Sequence, residues 1–129
     1  MTRREMSILS LLGFGVWLNG AVMFRFGGAM MFESGPLALG LSGLAIGLSV
    51  CVLLSSIMSW RKVAQAEAVA AAVILILPGL FGDVAYILHF GAITGLQATT
   101  AGPFAAVLVF GTAVLLAYAL WLARPSRIP

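Results

Sequence analysis

Charge is what this sequence has least of. Only 9% of its 129 residues are Asp, Glu, Lys or Arg, against roughly 25% in an ordinary soluble domain, while 62% are hydrophobic and the mean hydropathy is +1.13. A 13.5 kDa globule has too unfavourable a surface-to-volume ratio to hide so much apolar side chain, so lipid must be the solvent for most of the chain. The seven basic residues are too few and too scattered for a nucleic-acid footprint. A single cysteine, Cys51, excludes a disulfide scaffold. A Ser/His/Asp set, a paired acidic dyad, CxxC and HExxH are all missing, and the polar stretches are too short for a catalytic domain outside the bilayer. No enzymatic activity, cofactor or metal is therefore expected.

What is present is long uncharged runs, each measured against the ~20 residues an α-helix needs to cross the hydrocarbon core. Met6 to Phe24 is 19 uncharged residues and Ser34 to Trp60 is 27, with Pro36 well suited to a first helical turn. Ala68 to Phe90 supplies 23 residues interrupted only by Asp83 and His89, and Phe104 to Ala123 supplies 20. Gly91, Gly95, Thr99, Thr100, Gly102 and Pro103 supply turn chemistry between the last two. The expected fold is an all-α membrane protein, one domain over 1–129. Its four transmembrane helices, about 6–26, 36–60, 68–90 and 104–123, form an up-down bundle.

Lysine and arginine set the orientation. Arg3, Arg4, Arg61, Lys62, Arg124 and Arg127 fall on one side of four alternating spans and Arg25 alone on the other. Both termini and the middle loop are expected in the cytoplasm, with outer turns at 27–35 and 91–102. A cleaved leader is the competing reading of Arg3, Arg4 and the apolar stretch after them. That stretch is long for a leader and lacks a clear small-x-small site, so a first membrane helix is preferred.

A shift of 64 residues lays Gly15-Val-Trp-Leu-Asn19-Gly-Ala21-Val-Met-Phe-Arg25-Phe26-Gly27 over Gly79-Leu-Phe-Gly-Asp83-Val-Ala85-Tyr-Ile-Leu-His89-Phe90-Gly91. Asn19 matches Asp83 and Arg25 matches His89, and Gly35-Pro36 falls near Gly102-Pro103 beyond them. Apolar helices match one another by composition alone, yet the retained polar spacing suggests two related hairpins. Because both hairpins begin and end on the same side, the repeat would be parallel, with a pseudo-two-fold axis along the membrane normal.

Helix association in lipid depends on small residues that let backbones approach. Gly43, Gly47, Cys51, Ser55 and Ser59 recur every four residues on span two, a ridge for docking within the bundle or, alternatively, on a second copy. Pro78 and Gly79 should kink span three and free carbonyls near Val73 and Ile74.

A charge inside a span costs about 2.5–3.5 kcal/mol at the centre on insertion scales and marks a site by default. Asp83 is such a charge, seven residues from Phe90 and so roughly 10 Å below the outer boundary. Arg25, near the outer end of span one, has the reach to pair with it. If no partner reaches Asp83, it becomes a proton-coupling or cation-binding carboxylate, with Asn19 lining the same outer cavity. Tyr86, three residues on, is placed to donate to it. His89 points about 120° away from Asp83 and reads as a headgroup-level residue, since no second ligand for a metal or haem lies near it in sequence.

With Phe24-Arg25-Phe26-Gly27 and Pro78-Gly79-Leu-Phe-Gly-Asp83 in view, the chain resembles a family of bacterial integral membrane proteins of about 130 residues, catalogued only as a domain of unknown function. The resemblance implies four helices in the bacterial cytoplasmic membrane and no assigned activity. Together these readings lead to a non-enzymatic helical component that binds a partner membrane protein, a lipid or a second copy of itself. The alternative is a small transporter or channel subunit using Asp83 in an outward-facing polar pocket.

Overall fold

A computed structural model describes residues 1–94, 96 and 98–124. Gly95 and Arg127, expected in the second outer turn and in the cytoplasmic charge cluster, lie outside the described residues. Among those described, the chain is helical with no strand: α1 (Arg3–Phe32), α2 (Pro36–Arg61), α3 (Ala68–Leu88), a short α4 (Phe90–Thr94) and α5 (Ala101–Ala123). Four of them, α1, α2, α3 and α5, are long and apolar enough to cross a membrane. The up-down bundle of four spans is thus present.

Local signals explain most of the ends. Thr2 caps α1 by accepting from the Glu5 backbone N–H at 3.1 Å. Pro36 opens α2 behind Gly35, whose φ of +111° suits only glycine. Arg61 makes a two-pronged pair with Glu5, at 2.8 and 2.9 Å, which ties the end of α2 to the start of α1. The terminal amine meets Glu67 at 3.3 Å, and Arg61 and Arg124 lie over the Trp60 and Trp121 rings at 5.2 and 4.6 Å. Cations, acids and indoles therefore gather at one end of the bundle.

Expected and observed helix limits differ mainly at the other end. α1 does not stop near residue 26 but runs 30 residues to Phe32, so most of the expected outer turn is helix. At ~1.5 Å per residue it is about 45 Å long, more than the ~30 Å hydrocarbon core requires. The extra turns are held by packing: Gly28 abuts Leu96, and Phe32 joins a cluster of rings with Phe24 and Phe104. The second expected outer turn also holds more structure than turn residues suggest, with α4 and a 3-10 turn at Ala98–Thr100. α3 continues as helix through Pro78, where a kink is expected, and the span is interrupted at His89.

Neighbour relations correct the expected symmetry. α1 lies along α3 and α2 along α5, α3 also packs on α5, and α1 touches α2 more lightly, leaving α1 diagonal to α5 and α2 diagonal to α3. A two-fold axis along the normal would set α1 across the bundle from α3. The two hairpins instead stand side by side, with α1 against α3 and α2 against α5. Gly43 and Gly47 face Phe110 and Val114 of α5, and Ser55 shares a hydrogen bond with Tyr118, so this ridge docks inside the bundle.

Packing divides into two cores. One, built from Leu9, Leu54, Ala68, Ala71, Leu75 and Leu115, fills the end near the termini. The other is aromatic, with Phe24, Phe32, Tyr86, Phe90 and Phe104 at the far end. The segment between them holds the site described next.

Candidate functional site

Asp83 stands on α3 five residues before Leu88, roughly 8 Å along the helix axis at 1.5 Å per residue. Its Oδ1 accepts a hydrogen bond from the indole Nε1 of Trp17 on α1 at 2.8 Å. An indole N–H midway along a membrane helix needs an acceptor, because lipid supplies none, and a carboxylate is the strongest on offer. Two glycines of α3 make the approach fit. A Cβ at Gly79 would lie 3.0 Å from Trp17 Cδ1, and one at Gly82 only 2.6 Å from Cζ2. The indole lies flat on a face that any side chain would fill.

Arg25 does not pair with Asp83. Its Nη1 donates to the Thr94 carbonyl at 2.8 Å, the last residue of α4, and among the described residues Asp83 has no ion-pair partner. The cation satisfies a helix-end carbonyl, a placement that the backbone dipoles also favour. Thr94 is itself buried. Its hydroxyl donates to Phe90 O at 2.6 Å and accepts from Leu96 N at 3.1 Å. Arg25 thus clamps the α4 segment to α1, and the expected Asp83–Arg25 pair is replaced by two separate contacts.

The other candidates are redistributed too. Tyr86 does not donate to Asp83 but reaches the Ala21 carbonyl at 3.5 Å, with its ring stacked on Phe104 at 5.2 Å. Asn19 is exposed on α1 and makes none of the side-chain hydrogen bonds found among the described residues. It lines neither of the two hollows that Asp83 borders. His89 is exposed at the α3–α4 break, its backbone N–H bonded to the Ala85 carbonyl. Among the described residues no group of three His, Cys, Asp or Glu side chains could hold a metal ion.

Asp83 and Tyr86 do share a partly open cavity of about 190 Å³ lined by all four spans. Trp17, Phe24 and Phe104 complete its aromatic wall, and Gly20 borders it with its Cβ position open. A second hollow, a groove of about 410 Å³ between α3 and α5, shares Leu80, Asp83, Leu108 and Thr112 with the first. The carboxylate therefore stands on the partition between the cavity and the groove. Its surroundings are apolar and aromatic, not the polar pocket that the alternative transporter reading calls for.

Trp17, Gly82, Thr94 and Phe104 are the residues that sequence reasoning passed over. Trp17 carried a usable signal, since tryptophan belongs at membrane interfaces and one midway along a span must satisfy its N–H inside the protein. Thr94 carried none, because its carbonyl is chosen by the fold of α4.

The sequence matches a family of unknown function, DUF5367, over residues 31–125. That segment includes Pro78, Gly79, Asp83, Tyr86 and Phe104, while Trp17, Asn19 and Arg25 precede it. No curated protein and no solved structure matches the chain. The matched residues make up well over half of the 129, with α2, α3, α4 and α5 complete among them. The chain belongs to the family of unknown function DUF5367.

Proposed function

We propose that this protein is a non-enzymatic binding component of a membrane, holding a small membrane-soluble molecule in the cavity beside Asp83. The observation that carries this reading is that the Asp83 carboxylate has an indole rather than a cation for a partner while bordering open space. A purely structural acid in lipid would be neutralised by the nearest base, and that base is held elsewhere by Thr94. The absence of any catalytic set in the sequence supports the non-enzymatic part. Six of seven basic residues on one side of the spans support a multi-pass placement with both termini cytoplasmic, and the family resemblance supports a bacterial inner membrane.

Gly20 tests the site, because it lines the cavity and a Cβ there meets nothing closer than Phe24 Cε2 at 3.9 Å. Protein extracted in native-lipid discs is expected to retain a small molecule detectable by mass spectrometry, and Gly20→Leu to lose it. Equal retention by both proteins, or none by either, would sink the proposal.

A second reading, self-association, is favoured by Asn19. This amide is exposed in the middle of α1, one turn from Gly15, whose Cβ position is open. Two copies in the same orientation would bring Asn19 to Asn19 across a two-fold axis, each amide donating and accepting. Asn19→Leu should weaken dimerisation by about 1 kcal/mol, roughly fivefold in association constant, measured by single-molecule photobleaching in bilayers. An unchanged dimer fraction rules this face out.

A further inference from the structure

We propose that the ligand of the Asp83 cavity is an organic cation with an apolar body, its ammonium-type head between the Asp83 carboxylate and the aromatic wall. The inference rests on the binding reading above and adds the chemical class.

Three features of the cavity converge on that class. The first is charge: Asp83 is the sole acid lying away from the ends of the four spanning helices, and among the described residues it has no counter-ion. A half-buried carboxylate inside a membrane span without a positive partner is costly, and a cationic ligand removes that cost. An anion would add to it, and a neutral solute would leave it standing. The second is the wall. Trp17, Tyr86, Phe24 and Phe104 all line the same space, with Trp17 edge-on to Tyr86 at 6.2 Å and Phe24 edge-on to Phe104 at 5.2 Å. Aromatic faces around a carboxylate attract quaternary and protonated amines through the ring quadrupole, most strongly where water is excluded. Metal ions prefer several oxygen ligands, and here only one acid is present.

The third feature is size and shape. At about 190 Å³ the inner cavity is below the roughly 300–1,000 Å³ of drug-sized sites. The 410 Å³ groove on the far side of Leu80, Asp83, Leu108 and Thr112 offers room for an apolar tail. A head at the partition and a body in apolar space describes an amphiphilic cation.

Benzyltrimethylammonium and its uncharged isostere neopentylbenzene isolate the charge. In a Trp60→Phe/Trp121→Phe background, Trp17 remains as the single indole reporter. The full chain in lipid nanodiscs should show a saturable change in Trp17 fluorescence with the cation, at an affinity at least tenfold above that for the isostere. Asp83→Asn, which keeps an oxygen acceptor for Trp17, should lower the cation's affinity at least tenfold and leave the isostere's unchanged. Asp83→Glu should retain most of the cation's affinity. Equal binding of the two compounds, an Asp83→Asn variant that binds the cation as tightly, or no saturable response to the cation would each overturn the inference. Isostere binding abolished by Gly20→Leu alone would show the cavity to be a site for neutral molecules, so the binding reading would survive while the cation class failed.

Discussion

Gly13→Ala should cost about 3 kcal/mol, at the upper end of the ~1–3 kcal/mol seen for overpacked cores, although alanine is the better helix former by nearly 1 kcal/mol. A Cβ on Gly13 would lie 2.8 Å from the Leu75 carbonyl carbon and closer still to its oxygen. Those are backbone atoms of α3, so no rotamer change relieves the clash, and α1 must move bodily away from its main neighbour. The shift would carry Trp17, one turn on, off Gly79 and Gly82 and lengthen its 2.8 Å bond to Asp83. Gly47→Ala is the control. Its Cβ would meet Val114 and Phe110 side chains at 3.5 and 3.6 Å, ordinary contact, so stability should stay within about 0.5 kcal/mol or rise slightly. Unfolding in mixed micelles titrated with dodecyl sulfate, followed by helical circular dichroism, checks both. Similar midpoints for the two variants would show that the α1–α3 approach does not depend on Gly13.

This contrast also shows how far the sequence could be read. The small-residue ridge on α2, recurring every four residues, was legible because periodicity along one helix needs no knowledge of neighbours, and its Gly43, Gly47 and Ser55 do pack against α5. Gly13, whose role depends on which α3 backbone atom lies opposite, has no periodic signature. The spans were legible for a similar reason: hydrocarbon thickness fixes a length that a chain meets or misses locally. Their outer limits were less so. Gly27 and Gly28 read as a turn by composition, but Phe32 and Leu96 supply tertiary contacts that keep α1 helical past them.

At the site, Asp83 stood out because a lone acid in lipid always requires a reason. Its partner did not, since charge pairing pointed to Arg25 and a backbone carbonyl is a competitor that sequence does not display. Once α4 folds, Thr94 presents that carbonyl to α1 and Arg25 is used at 2.8 Å. Asp83 is then left to the indole. The repeat had a similar fate. The correspondence of Asn19 with Asp83 was visible, yet α1 and α3 lie side by side rather than across an axis, so one polar position faces inward and the other outward.

Phe104→Ala should destabilise the fold by about 2 kcal/mol and enlarge the site at the same time. Phe104 is 1% exposed and packs its ring against Phe24, Phe32, Tyr86 and Phe90 with centroids 5.0–5.3 Å apart. In a soluble core the same truncation costs about 3–5 kcal/mol. Part of that is transfer from water, worth about 1.5–3 kcal/mol for such a side chain, and it is missing where the unfolded helices remain in lipid. What stays is the lost dispersion and ring–ring attraction. Phe104→Leu, which keeps most of the volume, should recover more than half of the loss in the same dodecyl sulfate titration. Full stability of Phe104→Ala would mean that the aromatic cluster is not what joins α5 to α1 and α3 at that end. Because Phe104 also lines the cavity beside Asp83, the truncation opens space next to the carboxylate. It should therefore shift preference towards bulkier ligands even as it weakens the fold. A purely structural cluster remote from the site would lose stability alone.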